Sequence, residues 1–352
     1  MELTTAQLDR ACGVLLGTAA GDALGAGYEF GPPLAAGALV TMKGGGSLGW
    51  APGEWTDDTS MALAVAEVGA TGADLGGTAA QDAIIARWAG WAQTARDVGI
   101  QTAEVLGAAR GGTAAEALAA ARDLHERTGR TAGNGSLMRT APVALAYLAD
   151  PEGLTQAATA LSVLTHYDPE AGEACVLWCQ AIRHAVLSGD LDARAGLEYL
   201  PAGGRGTWAR RLDEAEQARP CDFTRNGWVV EALQAAWCAI ATTGAPGDDP
   251  AAVTFRAGHL QLALEAAVRG GRDADTVAAI AGGLLGAAYG ASAVPARWRR
   301  VLHGWPGLTE RDLIALATAI ASGPQAPGPF YGAQPGAGHH GDGTGAAGSR
   351  SR

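Results

Sequence analysis

Two short stretches gather more oxygen ligands than their local structure needs. The first, Gly53-Glu54-Trp55-Thr56-Asp57-Asp58-Thr59-Ser60, runs straight into the apolar segment MALAVAEV. The second sets Asp273, Asp275 and Thr276 at the head of the apolar run VAAIAGGLLGAAYG. Asp and Thr are ordinary helix starters, because their side-chain oxygens accept the free amide protons of the first turn. One oxygen suffices for a cap, so both stretches have acceptors to spare. On one reading they cap two solvated helix ends, with Arg272 neutralising an acid in the second. On the other they are halves of one oxygen-rich cage. Hard divalent cations such as Mg²⁺ take oxygens in near-octahedral geometry. Two carboxylate pairs, two threonine oxygens and water would hold two such ions. Like charges packed this densely repel without a cation, and an Asp lying between two ions can bridge them.

The elements that must position these acids are helical throughout. TAQLDRACGVLLGTAAGDALG places Leu8, Cys12, Leu15 and Leu16 on one face. The same period recurs in AAQDAIIARWAGWAQTA, PEAGEACVLWCQAIRHAVLSG, WVVEALQAAWCAIATTG and DTVAAIAGGLLGAAYGA. Alternating β-branched runs are essentially absent. The pattern predicts an all-α fold of a dozen or so helices, broken at Gly and Pro, over residues 1–322. Residues 200–222 read as a loop or flap between helices. Residues 323–352, rich in Gly and Pro, read as a disordered tail too poor in apolar surface to order itself. GTAAGDALG has glycines but lacks the βαβ setting of a dinucleotide fold.

Composition narrows the function. A net charge of −11 with no Lys/Arg block argues against general nucleic-acid binding, which rests on cations meeting phosphates. It leaves room for an anionic small ligand, since bound divalent cations invert the local field. Hydrophobic residues at 48% supply a large core, and 52 glycines point to helices packed closely through small side chains. The five cysteines (Cys12, Cys175, Cys179, Cys221, Cys238) form no CxxC, and Cys175 and Cys179 share a helix face as buried thiols. Their odd number and the lack of a signal peptide fit a reducing cytoplasm. No run reaches the roughly 18 apolar residues of a membrane span. With no exposed heptad seam, a monomer is expected.

Five motifs in order make the chain resemble the ADP-ribosylglycohydrolase family, meaning the dinitrogenase-reductase-activating glycohydrolase and its ADP-ribosylarginine and ADP-ribosylserine hydrolase relatives. They are GVLLGTAAGDALGAGYEF (13–30), WTDDTSMAL (55–63), GNGSLMRTAPVAL (133–145), LTHYDPEA (164–171) and DADTVAAIAGGLLGAAYG (273–290). The resemblance runs from about Leu8 to Gly290. It implies an orthogonal all-α multi-helix bundle with a binuclear metal cleft holding two Mg²⁺ or Mn²⁺. It further implies Thr56, Asp57, Asp58 and Asp275 as ligands of one ion, and Asp57, Asp273, Asp275 and Thr276 as ligands of the second. Glu29 matches the acid near the reacting ribose. Asn134, Gly135, Ser136 and Met138 match the loop along the ribose and phosphates, and His166 a position beside the ligand. Asp97, in ARDVGIQT, matches a catalytic aspartate of the arginine-directed enzymes. Asp168 reads as the cap of a helix starting at Pro169. The chain departs from the nitrogenase-regulating enzyme at Ile100, where that loop has Asn, and at Arg272, where acidic or polar residues are common.

The implied reaction removes ADP-ribose from an ADP-ribosylated protein or other acceptor, arginine-type favoured, through an oxocarbenium-like state at the anomeric carbon. ADP-ribose would be the product, with Asp97 or Glu29 moving the proton. The alternatives are an ADP-ribose or nucleotide-binding module without turnover, or a metal-dependent hydrolase of a related N-glycosidic or phosphoester bond.

Overall fold

The computed structural model describes residues 1–323. The tail expected at 323–352 therefore lies outside the described residues, apart from Gly323 at the end of the last helix. The first half contains α1 (Thr5–Gly25), α2 (Asp57–Gly69), α3 (Thr78–Ala92), α4 (Ile100–Ala108), α5 (Ala114–Thr128), α6 (Ala141–Ala146) and α7 (Pro151–Val163). The second contains α8 (Pro169–Ser188), α9 (Ala202–Glu216), α10 (Val229–Thr242), α11 (Gly258–Arg269), α12 (Ala274–Tyr289), α13 (Ala296–Arg299) and α14 (Glu310–Ser322). The one sheet among the described residues is the minimal hairpin β1 (His303–Gly304) and β2 (Leu308–Thr309). The all-α expectation holds. No described helix is long and apolar enough to cross a membrane.

Two helices form the axis of the molecule. Every residue of α1 from Ala11 to Gly25, and of α12 from Ala274 to Ala288, is buried. A helix apolar on all sides belongs in a core. Their glycines let the two backbones touch. A Cβ on Gly17 would stand 2.2 Å from the carbonyl oxygen of Gly282, and one on Gly282 would stand 2.1 Å from that of Gly17. About two turns nearer the acids, a Cβ on Gly25 would fall 2.3 Å from Asp275 Cα. This contact fixes the register between the C-terminal end of α1 and the first turn of α12. The expectation of helices packed through small residues is met here most directly.

Other helices are pinned to this axis by the few aromatics. Trp178 of α8 donates its indole N–H to the Ile280 carbonyl of α12 at 2.9 Å, and Trp88 of α3 donates to the Met61 carbonyl of α2 at 3.0 Å. Cys175 and Cys179 are buried free thiols of α8, as their spacing predicts. Asp168 caps α8, accepting from the Glu170 amide at 2.9 Å.

The reading of 200–222 as a loop or flap is corrected. Ala202–Glu216 is the helix α9, which buries Trp208, Leu212 and Ala215. Gly203, Gly204 and Gly206 hide its start in the sequence, but the apolar spacing of four and then three residues is a helical stripe.

Candidate active site

Helix α2 is not capped by its own crowded acceptors. Thr56 occupies the N-cap position without a side-chain cap bond. The cap comes from Asp22, deep in α1. Its Oδ1 accepts from the Thr56 amide at 2.9 Å, and its Oδ2 accepts from the Thr59 amide at 3.0 Å and the Thr59 hydroxyl at 2.6 Å. Thr56, Asp57 and Asp58 are thereby released from capping. The Thr56 hydroxyl lies 3.1 Å from Asp58 Oδ2 and 3.3 Å from Asp57 Oδ1. Asp58 Oδ1 is buried with no hydrogen-bond partner.

Helix α12 starts in the same way. Asp273 makes no side-chain cap bond; its Oδ2 accepts from Asn134 Nδ2 at 2.6 Å. The Asn134 amide group also donates to the Asn226 carbonyl at 2.9 Å, while the Asn226 side chain donates to the Gly271 carbonyl at 3.0 Å. The chain enters this start through Gly271 and Arg272, with φ of 74° and 61°. There it pairs with the loop after α1: the Phe30 amide donates to the Arg272 carbonyl at 2.6 Å and the Arg272 amide to the Gly31 carbonyl at 2.7 Å. That bridge carries Glu29 to the acids of α12.

The two helix starts converge. Carboxylate oxygens of Asp22, Asp58 and Asp275 lie within 4.8 Å of one another, and so do those of Glu29, Asp273 and Asp275. Asp275 belongs to both groups. Arg272 neutralises none of these acids, contrary to the capping alternative. Its guanidinium turns to the carbonyls of Cys221 and Gly270 at 3.4 and 3.5 Å.

So many buried acids cannot all be charged without a counterion. Burial, then the neighbouring acids, push Asp57, Asp58 and Asp275 well above the usual carboxylate range. Glu29 is pushed up to about 9 by burial and then by Asp97 and Asp273. Asp22 rises to about 6, its burial outweighing the bonds from Thr59 and Thr56. Asp273 is raised by burial against the opposing bond from Asn134. A divalent cation suits this donor set. The oxygens are hard, they form clusters, and both Asp58 Oδ1 and Glu29 Oε2 are buried without a partner.

A cavity of about 360 Å³ opens beside this cluster. Glu29, Asp57, Asp273 and Thr276 line it together with Gly133, Asn134, Gly135, Met138 and His166. Ser136 departs from its expected place. It does not line the cavity; its hydroxyl is buried and accepts from Ser162 Oγ at 3.0 Å and Cys175 Sγ at 3.6 Å. The 3₁₀ helix Asn134–Arg139 turns that side chain into the core while Asn134, Gly135 and Met138 stay at the cavity.

His166 is buried beside a buried cation. Arg139, stacked against the face of Trp88 at 3.9 Å, donates to Thr165 Oγ1 at 2.6 Å, and that hydroxyl lies 2.7 Å from His166 Nδ1. The other ring nitrogen, Nε2, lies beside Gly133 and Gly135. Burial, and then Arg139, hold His166 well below its ordinary pKa, so the ring is neutral.

Asp97 stands between α3 and α4, raised by burial alone, and lines the same cavity. Ile100, the first residue of α4, is 89% exposed at the rim. Sequence reasoning missed three residues. Asp22 had one signal, an acid inside an apolar helix. Asn226 and Gln101 had none, since they act by tying backbone segments together; Gln101 donates to the carbonyls of Thr131 and Thr165 at 3.1 and 2.7 Å.

Fold and cleft thus define an all-α protein with a cluster of buried carboxylates beside a ligand-sized cavity. A family model described as ADP-ribosylglycohydrolase matches residues 3–329. The chain is 31% identical over 301 residues to the ADP-ribosylarginine hydrolase Tri1 of Pseudomonas putida (strain GB-1), covering 83% of this chain and 73% of that protein. It is 30% identical over 314 residues to the ADP-ribosyl-[dinitrogen reductase] glycohydrolase of Rhodospirillum rubrum, covering 82% and 89%. A solved structure titled ADP-ribosylglycohydrolase-related protein complex superposes with a TM-score of 0.66 at 31% identity, over 91% of this chain and 99% of that one. The chain belongs to the ADP-ribosylglycohydrolase family and is an enzyme of the glycohydrolase class.

Proposed function

We propose that this protein is a divalent-metal-dependent hydrolase that frees ADP-ribose from an ADP-ribosylated acceptor protein, with an arginine-type linkage favoured. The observation that carries the proposal is the pair of carboxylate groups sharing Asp275, formed from residues some 250 positions apart in the chain. The ligand sets implied by the resemblance are Thr56, Asp57, Asp58 and Asp275 for one Mg²⁺ or Mn²⁺ and Asp57, Asp273, Asp275 and Thr276 for the other; Asp58, Asp273 and Asp275 lie in the carboxylate groups, while Asp57 lies outside both and lines the cavity. When bound, such ions grip a ribose diol and lower the pKa of water.

The protein's own residues divide the remaining work. Asn134, Gly135 and Met138 hold the ribose and phosphates along the cavity wall. His166 presents its Nε2 edge to the ligand while remaining uncharged, and Ser136 braces the loop from behind. Glu29, grouped with Asp273 and Asp275, faces the ribose from the cation wall. Asp97 belongs to neither carboxylate group. Its pKa raised by burial, Asp97 is the group placed to pass a proton to the leaving nitrogen, a role worth about 10²–10⁴-fold in rate. The acceptor preference draws on the arginine named in the Pseudomonas relative.

A panel of ADP-ribosylarginine, ADP-ribosylserine and ADP-ribosylated nucleobase, assayed with Mg²⁺ and with EDTA, tests this. The expected result is release of ADP-ribose from the arginine substrate only when metal is present. Turnover persisting in EDTA would remove the cations from the mechanism. Tight ADP-ribose binding without turnover on any acceptor would make the protein a binding module.

A further inference from the structure

A second cavity, of about 480 Å³, adjoins the first, and Asp57 and Asp97 line both. Its walls differ in kind from those of the first. Trp50, Trp55, Trp91 and Trp305 contribute to them, four of the ten tryptophans in a chain that is only 6% aromatic. Two distant segments build it. The His303 amide donates to the Gly53 carbonyl and the Trp55 amide to the His303 carbonyl, both at 3.0 Å. Trp55 Nε1 also donates to the Trp305 carbonyl at 3.3 Å. The hairpin of β1 and β2 is thus fastened to the residues immediately preceding Thr56 and Asp57. The second cavity is held in register with the metal motif.

Tryptophans beside carboxylates, with Trp305 half-buried and the other three buried behind it, suit one chemical class in particular, a flat cation with weakly hydrated faces and in-plane donors. The wall already binds one such group. The Arg96 guanidinium lies 4.4 Å from the Trp50 ring centroid, is ion-paired with Glu54, and donates to the Gly49 carbonyl at 3.1 Å. A serine hydroxyl has neither the charge nor the flat surface to use these walls.

We infer that this second cavity is the acceptor subsite and that it takes the guanidinium of an ADP-ribosylated arginine, with the scissile bond at the neck between Asp57 and Asp97. The inference rests on the glycohydrolase reading above, with ADP-ribose in the first cavity. It assigns Trp305, half-buried at the mouth, as a specificity-determining residue that acts on the acceptor alone.

Agmatine, a guanidinium without ADP-ribose, is the probe. It is titrated into the Mg²⁺-loaded full chain by calorimetry, with n-butylamine as the control cation, alongside a separate ADP-ribose titration. Wild type should bind agmatine more tightly than n-butylamine. Trp305→Ala should weaken agmatine and raise KM for an ADP-ribosylarginine peptide by about 10-fold each, the scale of one desolvated cation–π contact, with ADP-ribose affinity within about 2-fold. Trp305→Phe, which keeps an aromatic face, should recover most of both, and this separates recognition from a folding defect. Equal binding of the two amines, or an unchanged KM in Trp305→Ala, would overturn the inference while leaving the hydrolase reading intact. Failure of wild type to bind ADP-ribose would instead strike that reading, and the agmatine titration would still decide what the second cavity takes.

Discussion

The two walls that meet at the cleft are built on opposite principles. One rides on α1 and α12, whose backbones touch at Gly17 and Gly282 and whose ends place Asp22 and Asp275 side by side. The other is the short connection 93–99 between α3 and α4, which carries Asp97 and ends at the exposed Ile100. On the first wall a single added methyl meets main chain, which cannot step aside. On the second, the Ile100 side chain projects into open space. The difference teaches where each task is encoded. Gathering like charges against their repulsion needs a rigid frame. Choosing an acceptor needs only a surface that can vary without disturbing that frame.

Gly17→Leu breaks the comparison most severely. Its Cβ would meet the Gly282 carbonyl at 2.2 Å, so α1 and α12 must separate. Urea unfolding should show a loss of more than about 3 kcal/mol, at the upper end for overpacking. Retention of wild-type stability would show that the helix contact is not what aligns the acids.

A second effect, smaller and reversible, comes from the acids on the rigid wall. Their folded-state pKa values are raised, so without metal the folded protein binds more protons than the unfolded chain. Stability must then fall as pH rises above the ordinary carboxylate range, with the Asp22 contribution lost by about 6 and that of Glu29 continuing to about 9. A bound cation displaces those protons. The rise in Tm on adding Mg²⁺ should therefore be larger at about pH 8 than at about pH 5. A pH-independent rise would mean that the cation does not bind at the acids.

The smallest effect belongs to the loop wall. Ile100→Ala should change stability by less than about 0.5 kcal/mol, because the side chain is 89% exposed. The contrast with Gly17→Leu is the sharper test. Two substitutions of similar size near one cleft should differ severalfold in cost.

Legibility in the sequence followed the same division. The helix starts at Thr56–Asp58 and Asp273–Thr276 were readable because a cap needs one acceptor and each offers several. Asp22 was harder, since its donors come from residues 56 and 59, and only the packed α1 brings it to them. Ser136 shared a motif with Asn134 and Gly135, but a 3₁₀ turn sends neighbouring side chains in different directions, and proximity in sequence did not become a shared place in the cavity lining. Three glycines disguised α9 although its buried stripe was present. The tryptophan-lined cavity could not be read at all. It joins residues 50–55 and 303–309 through backbone hydrogen bonds, which no side-chain pattern announces.

The central claim is that acids from α2 and α12 share cations through Asp275. Mn²⁺ titration followed by electron paramagnetic resonance, on wild type and on Asp275→Ala, tests it most directly. Wild type should bind two Mn²⁺ with spin coupling between them. The variant should lose the coupling and at least about 100-fold in affinity, the upper range for removing even an outer-shell partner. Two uncoupled ions in wild type, or a variant that binds both as tightly, would contradict the shared site.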